Sequence, residues 1–197
     1  MPTTQTVGLF AAVVSYTLPD VDREPGRLPA SVYRVLPLVG LGLVGGCLVR
    51  FGATLQGFVA GVFALALVVI TATDLEYRLI PNRVVGPAAV IVLAAQTIAS
   101  PSPRWAIAAV AAAAFLLVFS LISPQGMGMG DVKLAFLMGA ALGTSVAAAL
   151  VIASLASLIP SIAILVRHGR AGRKVAFPFG PFLAFGSLVA LFVWGAM

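Results

Sequence analysis

Apolar runs separated by short polar stretches cover nearly the whole chain, and this pattern constrains the fold more than any other feature. Hydrophobic residues make up 61% of the sequence and charged residues 9%, so no polar block is long enough to bury a soluble core. The pattern predicts an all-α, polytopic integral membrane protein with a single membrane-embedded domain over residues 1–197. The clearest runs are 35–49, 53–73, 84–99, 105–122, 147–166 and 176–196.

Two further segments complete this prediction. The short apolar run 7–18 lacks the A-x-A site of a cleaved signal peptide, and we interpret it as a first short membrane helix. Another helix starts near Asp131 and cannot extend far past Gly143, because 147–166 is a complete span of its own. Together the segments predict about eight transmembrane helices. Runs near 16 residues would measure about 24 Å, which is less than the roughly 30 Å hydrocarbon core and indicates a locally thinned bilayer.

The basic residues support the same helix count. Eight crossings place the loops 19–34, 74–83, 123–133 and 167–174 on one side of the membrane, and these loops carry ten of the twelve basic residues. By the positive-inside rule this side is cytoplasmic, which predicts a multi-pass protein of the cytoplasmic (inner) membrane. The basic residues are scattered singly and form no stripe, so no nucleic-acid partner is expected. They are Arg23, Arg27, Arg34, Arg78, Arg83, Lys133, Arg167, Arg170, Arg173 and Lys174.

Two aspartates lie where a membrane protein has few charges. Asp74 ends the run 53–73, and Asp131 follows the glycine-rich stretch GMGMG at the start of another apolar segment. An even number of crossings between them places both carboxylates at the cytoplasmic side. Two carboxylates in one low-dielectric site can share a proton, so that one activates water and the other stabilises a carbonyl oxygen. Two such carboxylates can form the active site of an aspartyl protease, which would require no metal or cofactor.

Structural roles remain open for these and neighbouring residues. Asp131 directly before VKLAFLM is a good helix N-cap, and Asp74 could be an interfacial charge. Glu76 and Arg78 are expected to face solvated headgroups, although Glu76 could instead shape the site. Lys133 could extend to the interface or act on a neighbouring aspartate. The single cysteine, Cys47, is expected to be a small buried hydrophobic residue.

Three motifs in order resemble the type IV prepilin peptidases, a family of membrane proteases with a GxGD motif. They are GMGDVKL at 128–134, DLEYRLIPN at 74–82 and FPFGPFLAFG at 177–186. The resemblance implies that Asp74 and Asp131 are catalytic and that the substrate is a prepilin or pilin-like protein in the bilayer, cut after a glycine at the end of its basic leader. It also implies substrate-binding or loop-shaping roles for Gly126, Gly128, Gly130, Lys133, Pro81, Asn82, Pro178, Gly180 and Pro181. The glycines before Asp131 would allow close approach of a substrate backbone.

The chain departs from the long bacterial members of this family in one region. Those enzymes carry a cytoplasmic region with paired CxxC motifs and also methylate the new N-terminus, whereas here the loop 19–34 stands in its place and has no cysteine. The chain therefore resembles the short, protease-only forms, which argues against N-methyltransferase activity.

Three alternative functions remain open at this stage. The chain could be an archaeal-type preflagellin peptidase or another GxGD protease with a different membrane substrate. A small proton- or cation-coupled transporter could use the two carboxylates as a relay, but it would not account for DLEYRLIPN and PFGP. A catalytically silent assembly factor is the third alternative.

Overall fold

A computed structural model describes residues 30–122, 127–168 and 178–195, and all regular structure within these ranges is helical. Seven α-helices and one short 3₁₀ turn, Gly143–Ser145, follow one another along the described chain. The helices are α1 (Ala30–Phe51), α2 (Leu55–Tyr77), α3 (Asn82–Ala99), α4 (Arg104–Ile122), α5 (Met129–Leu142), α6 (Val146–His168) and α7 (Gly180–Trp194).

The helices have the length and composition of membrane spans, which confirms the predicted all-α polytopic fold. Five segments are long and apolar enough to cross a bilayer, and α7 is a shorter apolar helix. The predicted span 7–18 lies outside the described residues, so the count of eight stays a prediction. Helix α1 already begins at Ala30, inside the stretch 19–34 that was predicted to be a loop. The last proline of that stretch is Pro29, and the single charge of Arg34 does not interrupt a helix.

Local sequence signals explain where the helices end. Arg78 adopts a left-handed conformation with φ of 54° and closes α2, and its N–H donates to the Asp74 carbonyl oxygen at 2.9 Å. Pro81 then precedes α3, as the IPN segment predicted. Gly143, with φ of 59°, interrupts the long apolar stretch from Met129 to Arg167. An unbroken helix of that length would measure about 58 Å, nearly twice the hydrocarbon core.

Helix α5 lies at the centre of the described bundle and packs against α3, α4 and α7. Its large side chains Leu134, Leu137, Met138 and Leu142 are fully buried. Helices α1, α3, α4 and α6 instead carry many exposed large apolar side chains, which is typical of surfaces that face lipid. Cys47 is buried, as predicted for a small hydrophobic residue.

Helices α4 and α5 approach so closely that one position between them must be glycine. A Cβ at Gly139 would overlap the Ala108 carbonyl oxygen and the Ala109 Cα, which are backbone atoms of α4. Small residues allow this kind of contact between membrane helices, where packing replaces the hydrophobic effect as the main driving force.

Substituting Gly139 by alanine is therefore expected to destabilise the bundle by about 1–3 kcal/mol, because the two helices must separate to admit the methyl group. The matched control is Gly42→Ala on α1, where the described part of the chain places no heavy atom within 4 Å of the added Cβ. Thermal unfolding in detergent should show a lower Tm for Gly139→Ala and an unchanged Tm for Gly42→Ala. Equal Tm values for the two variants would contradict close packing of α4 and α5.

Candidate functional site

The end of α2 meets the start of α7 through a hydrogen bond to Asp74. Asp74 lies in the last turn of α2 with 6% of its surface exposed, and its Oδ2 accepts from the Gly180 backbone N–H at 2.9 Å. Gly180 is the first residue of α7, so its N–H has no partner within its own helix. Pro181 follows, and a proline is suited to the start of a helix because no N–H is required there. The PFGP segment therefore opens the last helix and delivers a backbone donor to Asp74.

Asp131 lies in the first turn of α5 and binds the backbone in front of that helix. It is 8% exposed, and its Oδ2 accepts from the Gly128 N–H at 3.2 Å. The helix begins at Met129, two residues before Asp131, so the prediction that Asp131 is the N-cap is wrong. Gly128 occupies the N-cap position, and Asp131 reaches back to it from the third helical position as an acidic residue of a capping box does. Only one oxygen of the carboxylate is used in this contact.

Both aspartates lie at the same end of the bundle. Two helices, α3 and α4, separate Asp74 from Asp131 along the chain, and the two carboxylates interact electrostatically. Arg78 adds an attractive charge near Asp74. Each carboxylate is buried and held by one backbone N–H from a helix start. Such a pair can hold one proton between two carboxyl groups, which is the arrangement required for acid–base chemistry with two carboxylates.

A second contact joins the start of α3 to the start of α5. The Lys133 Nζ donates to the Asn82 Oδ1 at 2.8 Å, and both side chains lie at the exposed surface. Pro81, which precedes Asn82, is buried. This hydrogen bond therefore connects the segment DLEYRLIPN directly to the segment GMGDVKL.

The glycines before Asp131 differ in their surroundings. A Cβ at Gly130 would lie 2.9 Å from the Ile80 Cβ, so the space at this glycine is occupied by the loop between α2 and α3. Gly128 is exposed, and its nearest neighbours are at ordinary contact distance. Gly126 lies outside the described residues. Of the two described glycines, Gly128 is therefore the one that an approaching backbone could reach, whereas Gly130 serves contact within the protein.

Glu76 does not face the headgroups as predicted, because it is 4% exposed and lies inside the bundle. The expectation failed because Glu76 lies in the last helical turn of α2, where the helix is still enclosed by its neighbours. Arg78, one residue beyond that helix, is exposed as expected.

Ser120 on α4 contacts the segment that precedes Asp131, and the sequence did not predict this contact. Its hydroxyl donates to the Met127 carbonyl oxygen at 3.2 Å and so fastens the segment in front of Gly128 to α4. The available signal was a lone serine within the apolar run FLLVFSLI, close to the end of its helix. A single serine is common in apolar helices, so its presence in the sequence does not indicate a contact of this kind.

Comparisons with known proteins agree on one family. The family model described as "Type IV leader peptidase family" matches residues 61–165, which include Asp74 and Asp131. The chain is similar to a "Prepilin leader peptidase/N-methyltransferase" of Bacillus subtilis (strain 168), with 35% identity over 84% of this chain and 67% of that protein. A protein of the same description from Xanthomonas campestris pv. campestris is 30% identical over 74% of this chain and 53% of its own length. No solved structure gave a significant match.

Proposed function

The chain belongs to the type IV leader peptidase family, and on this premise we propose that it is a membrane aspartyl endopeptidase that removes the N-terminal leader of prepilins or pilin-like proteins. The observation that carries the proposal is the pair of buried carboxylates, Asp74 and Asp131, at one end of the helix bundle. Each of them is aimed by a backbone N–H at a helix start.

The proposed reaction uses the two carboxylates as one acid–base unit. The ionised carboxylate removes a proton from a water molecule, and the water oxygen attacks the scissile carbonyl carbon. The protonated carboxyl group donates its proton to the carbonyl oxygen, which gives a neutral tetrahedral intermediate. Collapse of this intermediate breaks the C–N bond. The carboxyl group that took a proton from water protonates the departing amine, while the other carboxylate removes a proton from a hydroxyl group of the intermediate. The two residues exchange roles during this sequence, so neither Asp74 nor Asp131 is permanently the acid or the base.

The remaining residues of the site position this pair. Gly180, between Pro178 and Pro181, supplies the N–H that binds Asp74. The hydrogen bond from Lys133 to Asn82, next to Pro81, maintains the geometry of the loop between α2 and α3. Gly130 admits Ile80 of that loop, and Gly128, with Gly126 before it in the sequence, leaves room for the substrate backbone.

The substrate reaches the site from within the bilayer in this proposal. Ten of the twelve basic residues lie in the stretches 19–34, 74–83, 123–133 and 167–174, which the sequence assigns to the side of the two aspartates. This asymmetry supports a cytoplasmic active site in a cytoplasmic (inner) membrane protein. An apolar substrate helix in the bilayer, with a basic leader in the cytoplasm, would present its scissile bond at the depth of the carboxylates.

We propose no methyl transfer, because the region 19–34 contains no cysteine.

Co-expression of the chain with a prepilin is expected to shorten the prepilin by its leader, as followed by gel shift and by the mass of the product. The matched control is the same prepilin with its last leader glycine replaced by a bulky residue, which should stay uncleaved. The product mass should correspond to an unmethylated N-terminus. A prepilin that keeps its leader in the presence of the membrane-inserted chain would contradict the proposed activity, and a methylated product would contradict the protease-only assignment.

A further inference from the structure

An open groove of about 360 Å³ runs between α3 and α5 on the outside of the bundle. Lys133 lies two residues after Asp131 on α5, which places it roughly 200° around the helix from the carboxylate. The groove and the aspartate pair therefore lie on different faces of α5. Its lining residues are Asn82, Val85, Gly86, Ala89, Val90, Lys133 and Phe136.

The groove has a cationic end and an apolar floor. Asn82 and Lys133 lie near the starts of α3 and α5, at the end of the bundle where the aspartates lie, and the apolar residues follow further along α3 and α5. Among the described residues, the lining includes no acidic side chain. The ammonium group of Lys133 has three N–H donors, and Asn82 is its one acceptor among the described residues. It can therefore donate to a second, anionic acceptor at the mouth of the groove.

The length of the groove matches one leaflet of a bilayer. From Asn82 to Val90 the helix rises about 12 Å, and one leaflet contributes about 15 Å of the hydrocarbon core. A transmembrane helix of a partner would require a groove through both leaflets. A lipid with an acyl chain and an anionic headgroup requires a groove that has a cation at one end and an apolar surface about as long as one leaflet is thick.

We propose that this groove binds one anionic glycerophospholipid of the leaflet on the side of the aspartates. One acyl chain lies along Val85, Ala89 and Phe136, and the phosphate accepts a hydrogen bond from the Lys133 Nζ. Gly86 keeps the groove open, because no heavy atom of the described residues lies within 4 Å of a Cβ built at this position. Neither Asp74 nor Asp131 lines the groove, and only Asn82 and Lys133 connect it to the catalytic site.

Lipid titration of the purified protein by native mass spectrometry tests the site with phosphatidylglycerol, phosphatidylcholine and soluble glycerol 3-phosphate as probes. The wild-type chain should bind phosphatidylglycerol more tightly than phosphatidylcholine. Lys133→Gln should weaken phosphatidylglycerol binding about fivefold, whereas Lys133→Arg should preserve it. The charge control is Arg50→Gln, which removes an exposed cation of α1 outside the groove and should have no effect.

Filling the groove separates a lipid site from a simple anion site. Gly86→Leu places a side chain in open space and should weaken binding of both lipids, while Gly45→Leu, which is equally open on α1, should not. Unchanged phosphatidylglycerol binding in Gly86→Leu would overturn the proposal, and so would displacement of the lipid by equimolar glycerol 3-phosphate. If Gly86→Leu impaired capture of a pilin helix but not of phosphatidylglycerol, the groove would hold a partner helix and the lipid site would be refuted.

Discussion

Asparagine at either position 74 or position 131 is expected to abolish leader removal while the chain still folds and inserts into the membrane. Asn has the shape of Asp and can still accept the N–H of Gly180 or Gly128, so the local contacts survive. It can neither take a proton from water nor donate an acidic proton to the carbonyl oxygen. Loss of one acid–base group typically lowers the rate about 10²–10⁴-fold, and here each group acts both as an acid and as a base.

The double variant Asp74→Asn, Asp131→Asn should be no slower than either single variant, because two groups that act as one unit are not additive. The measurement is the fraction of a co-expressed prepilin that loses its leader, together with the initial rate for purified enzyme in detergent. If the rate of the double variant, relative to wild type, equalled the product of the relative rates of the two single variants, the two aspartates would act independently. That result would contradict a shared acid–base unit.

Glu76→Gln is the matched control for these variants. Glu76 is also a buried carboxylate in the last turns of α2, but it lies two residues from Asp74 and therefore on another face of the helix. This variant should retain most of the activity. If it were as inactive as Asp74→Asn, loss of activity would report damage to α2 and not loss of the catalytic pair.

The membrane fold was predictable from sequence because few backbone structures are stable inside a lipid bilayer. Every backbone polar group must be satisfied inside the bilayer, so long apolar runs become helices, and prolines and glycines mark their ends. Pro81 before α3 and Gly143 after α5 illustrate this rule. The start of α1 at Ala30 was missed, because charged residues near a helix end look like a loop when only hydropathy is considered.

The presence of two carboxylates was predictable, but their immediate surroundings were not. An even number of helices between Asp74 and Asp131 follows from chain order, whereas the Gly180 N–H that binds Asp74 comes from a residue 106 positions away. The packing of Ile80 against Gly130 and the burial of Glu76 depend on how α2, α3 and α5 meet. Contacts of this kind are set by side-chain packing in three dimensions and leave no periodic pattern in the sequence.

Gly180→Ala is expected to lower the rate of leader cleavage by about 100-fold without unfolding the chain. A Cβ at this position would lie 2.7 Å from the Asp74 Oδ2, which is closer than nonbonded atoms approach, and 3.1 Å from its Cγ, which is a tight contact. The Asp74 side chain must therefore move away from the backbone N–H that now holds it. A displacement of about 1 Å at a catalytic group can cost 10²-fold, since the reacting atoms no longer align.

A comparison with Gly42→Ala separates this effect from a general intolerance of alanine, because a Cβ at Gly42 meets no atom of the described residues within 4 Å. Gly180 is a positioning residue, so its substitution should lower kcat much more than it raises KM. A Tm close to that of the wild type would show that the helices remain packed. Wild-type kcat in Gly180→Ala would mean that the Asp74 carboxylate works equally well when displaced from the α7 N-terminus, and the hydrogen bond from Gly180 would then have no role in positioning the pair.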